Sequence, residues 1–228
     1  MFNFNRNFIK LCSFIKQGWS LSLTALVYAF LSSSFTISLP AQTNAALAEE
    51  MVIVVNRNDP DSLSIGQHYA RQRGIPESRI VHLSAPIKET ISIAEYANTV
   101  ANPLLNALLK NEWVKGVKAG SKDVYGRERL SVSIHSIPFV VLIKGVPLRI
   151  SNDPILIEES STNLPTQFRV NNGSVDGEIA LLLAPPRTSM TALIPNPYFE
   201  KISISPTDAN RLLRVTRLDG PTKANVMN

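Results

Sequence analysis

The sequence predicts an α/β protein with a mostly parallel, doubly wound sheet three layers deep. Two observations carry this. Met51–Asn56 ("MVIVVN") and Ile137–Ile143 ("IPFVVLI") are near-continuous apolar runs rich in β-branched residues, the pattern of strands buried on both faces. The first run is followed within about 30 residues by a helical pattern and a second short strand, a unit that implies a parallel pair with a right-handed crossover.

The elements follow in order. Asn58-Asp59-Pro60-Asp61 is turn chemistry after the first strand, and Ser62 is placed to cap the helix that follows. Leu63, Gly66, Tyr69, Ala70 and Arg73 recur at helical spacing; Gly74 is placed to end the helix, with Pro76 just beyond. Arg79 to Leu83 reads as the second strand. Ser92-Ile93-Ala94-Glu95 forms a capping box, and Ile93, Ala97, Val100, Leu104 and Leu108 make one helical stripe. Pro103 predicts a kink or two short helices, the second capped by Asn102. Residues 114–133 are polar, contain glycine and read as a loop. Ile137–Ile143 is the third and most central strand. Residues 151–174 form a long polar excursion, and "VDGEIALLL", Val175 to Leu183, reads as helix or strand, with Asp176 and Glu178 at its start favouring a helix N-terminus. Leu212 to Leu218 is the fourth strand. Asp219-Gly220-Pro221-Thr222 is a helix-start signal followed by few residues, so the sheet is expected to be incomplete at the C-terminus, with Leu212, Val215 and Leu218 only partly covered.

The N-terminus has a different character. Met1 to Gln17 carries Arg6, Lys10 and Lys16 and no acid; Leu21 to Leu31 ("LSLTALVYAFL") is apolar; Pro40 and then small residues follow. A basic start, an apolar middle and a small-residue exit predict a secretory signal over residues 1–48, cut after Ala45 or Ala48. An uncleaved anchor would need about 20 strongly apolar residues, and Ser32-Ser33-Ser34, Thr36 and Ser38 dilute the run. Residues 49–228 then form a single α/β domain in the periplasm or outside the cell. The whole chain is +5, but three of its 23 Lys+Arg and none of its 18 Asp+Glu lie in the signal, leaving a domain of +2. So weak a basic bias gives no warrant for a nucleic-acid partner. The lone cysteine, Cys12, also lies in the signal, which excludes a disulfide, a thiol nucleophile and a Cys-based metal site from the domain.

Five stretches in this order resemble a family of exported bacterial proteins: "VVNRNDPDSLSIGQHYARQRGIP", "IPFVVLIKGVPLRI", "VDGEIALLL", "NPYF" and "VTRLDGPT". That family occurs in bacteria carrying the exosortase sorting system, cyanobacteria among them. The resemblance runs from Met51 to about Lys223. It implies an exported α/β domain that continues past the "RLDGPT" segment, and it carries no established activity and no catalytic residue. A more distant analogy is to gingipain-like and caspase-like peptidase domains, whose His–Cys dyad residues 49–228 cannot form.

Ligands of open parallel sheets sit beyond the C-terminal ends of the strands. Three such ends carry polar residues: Asn56 with Asp59, Lys144 with Arg149, and Arg217 with Asp219. Gly145 lets the backbone turn beside Lys144, and Arg149 has the forked geometry for a carboxylate or phosphate. These residues, with Asp176, point to an anion-binding crevice. The competing reading is that Asp59, Asp176, Glu178 and Asp219 pair with the cations to hold loops. His68, His82 and His135 share no metal-ligand spacing, and no HExxH, GxSxG, Walker A loop or GxGxxG is present. No cofactor and no metal are expected. The chain reads as a non-catalytic binding protein, or inactive fragment, on a hydrolase-like scaffold, with exported polysaccharide or sorted surface proteins as partners. The alternative is an exported, peptidase-like hydrolase using Lys144, Arg149 and Asp176.

Overall fold

The computed structural model describes residues 44–157, 163–184 and 212–227, with Met190, Glu200 and Ser203. Residues 1–43 of the predicted signal, and the "NPYF" stretch, lie outside the described residues. Helix α1 (Asn44–Glu50) leads into β1 (Met51–Asn56). Helix α2 (Pro60–Arg73) and β2 (Ile80–Leu83) complete the β-α-β unit. A two-residue strand, β3 (Thr90–Ile91), precedes a helical stretch made of α3 (Ile93–Tyr96), a π turn (Ala97–Ala101) and α4 (Asn102–Lys110). Next come β4 (Val114–Lys122), β5 (Glu128–His135), β6 (Phe139–Ile143) and β7 (Arg149–Ile150). The described chain closes with β8 (Gly173–Ser174), α5 (Val175–Ala180), β9 (Arg214–Leu218) and α6 (Lys223–Met227).

The main sheet has the order β2-β1-β6-β9 and is parallel throughout. Met51 stands opposite Phe139 and Val52 opposite Val140, so the two apolar runs pair as neighbours at the centre. Alternate residues of β1 serve opposite layers, because successive side chains of a strand point to opposite faces. Val52 and Val54 pack with Ile93, Val100, Leu104 and Leu108 of the α3–α4 layer. Ile53 and Val55 pack with Ile65 and Ala70 of α2 and with Ala48 of α1. Helices on both faces of one parallel sheet make the chain an α/β, doubly wound, three-layer domain.

Several local expectations are corrected. The cap of α2 is Asp59, whose carboxylate accepts from the Asp61 N–H, with Pro60 in the first turn. Ser62 is buried instead, its Oγ accepting from the Asn56 N–H at 2.9 Å. The helix end is as predicted: Gly74 adopts φ +64° and Ile75 N–H reaches back to the Ala70 carbonyl. The Ser92/Glu95 capping box is complete. Near Pro103 the helix widens instead of breaking. Proline has no N–H for a regular turn, and the π turn just before it sends the Asn102 N–H to the Ala97 carbonyl. Asn102 is no cap: its side chain donates to the Gly126 carbonyl and accepts from the Glu128 N–H.

Most of the predicted loop 114–133 is the antiparallel hairpin β4–β5, with register shifts at Lys115/Gly116 and Lys118/Lys122. Leu212 is buried rather than partly covered, and Val215 and Leu218 remain partly buried. Helix α6 sets Val226 and Met227 against the α2-side core. Among the described residues, no helix is long and apolar enough to cross a membrane.

Candidate functional site: a crevice at the sheet's C-terminal rim

The connection from β1 runs to β2 on one side, while β6 lies on the other side of β1 and leads outward to β9. The loops leaving β1 and β6 therefore diverge. That divergence is the topological switch point at which α/β sheets open a crevice. A cleft of about 220 Å³ lies there, lined by Asp59 after β1, Ile87 to Glu89 after β2, Lys144 to Val146 and Leu148 after β6, and Asp219 after β9.

Its floor is fixed by groups that do not face a ligand. Asn56, fully buried, donates to the Ala85 and Gly145 carbonyls at 3.1 and 2.8 Å and accepts from the Ala85 N–H at 3.1 Å. One amide thus ties the ends of β1, β2 and β6 together. Arg217 does the same for the far side. Its Nε donates to both Asp176 carboxylate oxygens (3.1 and 3.0 Å), Nη1 to the Val146 carbonyl (2.7 Å) and Nη2 to the Pro147 carbonyl (3.0 Å). This forked guanidinium matches several planar acceptors at once, as lysine cannot. Gly145 has φ +94°, and a Cβ there would stand 2.4 Å from Asp59 Oδ2. Glycine is needed at that point for the carboxylate to lie against the backbone.

The predicted residues therefore divide. Asp59, Lys144 and Asp219 meet in the crevice. Arg217 and Asp176 pair beneath it, and Asn56 staples its floor. Arg149 stands outside, in an exposed ion pair with Glu89 at 3.6 Å. Lys144 Nζ donates to the Gly220 carbonyl at 2.9 Å; Asp219, its ionic partner among the described residues, is at 3.9 Å, and the Lys144 side chain is a quarter exposed. Of the two lysines lining the crevice it has the looser ion pair, since the more exposed Lys88 is held by Glu95 at 2.8 Å. Hydrogen bonds from Lys88 and from the Ser92 backbone hold the Glu95 carboxyl below its ordinary range. Ile87, Lys88 and Glu89 were not among the sequence candidates. They follow the C-terminal end of β2, so the rule that singled out the other three strand ends applies to them too.

A second charged group lies under the α5 end of the molecule. Arg127 reaches Asp123 at 2.7 Å and Glu178 at 3.2 Å, beside a small cavity of about 50 Å³ lined in part by Tyr96, Asn102 and Leu105. Its charges are mutually paired and the space is a quarter of that at the switch point, so the rim crevice is the better ligand site. Among the described residues, no group of three or more His, Cys, Asp or Glu side chains is arranged to hold a metal ion. Comparison with protein families, with curated proteins and with solved structures finds no match.

Proposed function

We propose that this is an exported, non-catalytic binding protein whose rim crevice takes a small ligand, or the end of a larger one, through an anionic group held by Lys144. The observation that carries the reading is the position of Lys144. It lies at the switch point of a parallel sheet, directly after the central strand, with no carboxylate closer than Asp219 at 3.9 Å among the described residues. Asp59, Glu89 and Asp219 around it favour a ligand that adds hydroxyl or ammonium donors to its anion. Among the described residues the lining contains no Ser, Thr, Cys or His, so it supplies no hydroxyl, thiol or imidazole for the hydrolysis of the alternative reading.

The test is thermal and calorimetric titration with carboxylated and phosphorylated sugars and peptides, on the parent and on Lys144→Met. A ligand that raises the parent's melting temperature and leaves Lys144→Met unmoved, at matched fold, supports the site. A ligand that binds both equally overturns it, and so does a panel in which nothing binds the parent.

Export rests on the basic, apolar and small-residue order of residues 1–48. Ala48 is 3% exposed and packs on the α2-side core, which favours cutting after Ala45 because the contact is then kept. N-terminal sequencing of the exported product should begin at Ala46; an intact Met1 on a soluble cytoplasmic product would refute export. We also propose that the chain belongs to the exported family its motifs resemble.

A further inference from the structure

The β4–β5 hairpin carries a cleft of its own, far simpler than the rim. Lys118 stands opposite Leu130 and Lys122 opposite Glu128, so Ala119, Gly120 and Ser121 face Arg129 alone. Gly120 reaches φ +74° to make this bulge, and an extra stretch of strand beside a left-handed residue re-aims the backbone out of the ladder. The space it opens is about 170 Å³ and is lined by Lys118, Gly120, Ser121, Lys122, Glu128 and Arg129. Three cations and one anion line it. Glu128 is already held by Lys118 and Asn106, and Lys118 also donates to Asn106. That leaves Lys122 and Arg129, both exposed: Lys122 lies opposite Glu128 and attracts it only through space, and Arg129 faces the three-residue bulge.

We propose that this bulge is an oxyanion-binding site, taking a sulfate, phosphate or carboxylate group between Arg129 and Lys122, with the Ser121 hydroxyl within the same cleft. Arginine supplies a two-pronged donor to such a group and lysine a point charge. Both side chains are solvent-exposed, so a single free ion binds weakly and salt competes. The same groups repeated along a polymer bind more tightly, because each added contact becomes intramolecular.

The experiment is an amide chemical-shift titration of the purified chain with sodium sulfate and, separately, with dextran sulfate, at constant ionic strength. The expected result is a saturable shift centred on Gly120, Ser121 and Arg129. The Lys122→Gln/Arg129→Gln double variant, which removes none of the hydrogen bonds joining Lys118, Glu128 and Asn106 and no core side chain, should bind at least about tenfold more weakly. Tighter binding of dextran sulfate identifies a polymeric source, and equal binding per sulfate identifies a free ion; either outcome keeps the site. Parent hairpin amides unmoved by both probes, or a folded double variant binding within about twofold of the parent, overturn it. Should the variant fold poorly, the map of shifts on the parent decides alone.

Discussion

At the rim, one guanidinium, Arg217, is only 11% exposed and reaches four oxygens of Asp176, Val146 and Pro147. On the hairpin, Lys122 and Arg129 stand in solvent beside a bulge. Both regions are cationic, yet they use charge in opposite ways. Beneath the crevice the charged and amide groups are internal fasteners, which shape a cleft lined by Lys88 and Lys144. On the hairpin the fastening is done by Lys118, Glu128 and Asn102, while Lys122 and Arg129 stand exposed at the bulge. A cation near a strand end is therefore not itself a sign of function; the number of acceptors already around it decides.

The comparison is broken most severely by Arg217→Met. Asp176 would be left without its buried partner and two carbonyls without donors, a loss of about 3–5 kcal/mol if the pair behaves as a buried one. Urea unfolding measures this, and a loss under about 1 kcal/mol would place Arg217 with the surface cations instead. Asn56→Ala removes the amide shared by three strand ends. Leaving the Ala85 N–H and the Gly145 carbonyl unsatisfied, while Asn58 still donates to the Ala85 carbonyl, should cost about 2–3 kcal/mol, again by urea unfolding, with Asn56→Asp failing to restore it because a carboxylate cannot donate to the Gly145 carbonyl.

Smaller effects sharpen the contrast on the hairpin. The hydrogen bond from Lys118 is the main reason the Glu128 carboxyl titrates below its ordinary range. A carboxyl lowered in the folded state contributes stability that is complete above its unfolded pKa and is lost as pH falls through the folded one. Melting temperatures measured from neutral to acid pH should therefore fall less for Glu128→Gln than for the parent across that window; parallel curves would show that Lys118 does not stabilise the charged form. Least affected should be Arg149→Ala. Arg149 and Glu89 are 66% and 71% exposed, so the stability change is at most about 0.5 kcal/mol. A drop of more than about 1 kcal/mol in a urea midpoint analysis would show that this outer pair also fastens the rim.

What the sequence disclosed depended on how each segment meets water. Strands β1 and β6 are buried on both faces, so their apolar runs are unbroken and their parallel pairing could be anticipated. The hairpin has one face against α4 and one in solvent, and its signal was mixed. In β5, Leu130, Val132 and Ile134 do alternate with polar residues, but in β4 the bulge around Gly120 interrupts the period and Lys115, Lys118 and Lys122 are interspersed with its few apolar residues. The apolar residues it does carry lie partly outside: Val117 is 72% exposed. At the site, Asp59, Lys144 and Asp219 were legible because each lies within three residues of a strand's C-terminal end. The division between fasteners and open groups was not. Arg217 and Asp176 lie 41 positions apart, and no local pattern records which cation such a distant carboxylate will meet.

That same clasp bears on the order in which the molecule assembles. The carbonyls of Val146 and Pro147 precede Arg217 by 71 and 70 positions, a long loop whose closure entropy must be met before the contact returns anything. β9 is an edge strand that pairs with β6 alone, whereas β1 and β6 form the apolar centre of the sheet, so the expectation is that the clasp closes after the central strands have met. A contact absent from the folding transition state affects escape from the native state rather than arrival at it. Stopped-flow measurements on Arg217→Met should accordingly show a folding limb close to the parent's and a faster unfolding limb. In its native life Arg217 then acts as a latch on dwell time, holding the rim shut against spontaneous opening; a slowed folding limb would instead put it in the nucleus.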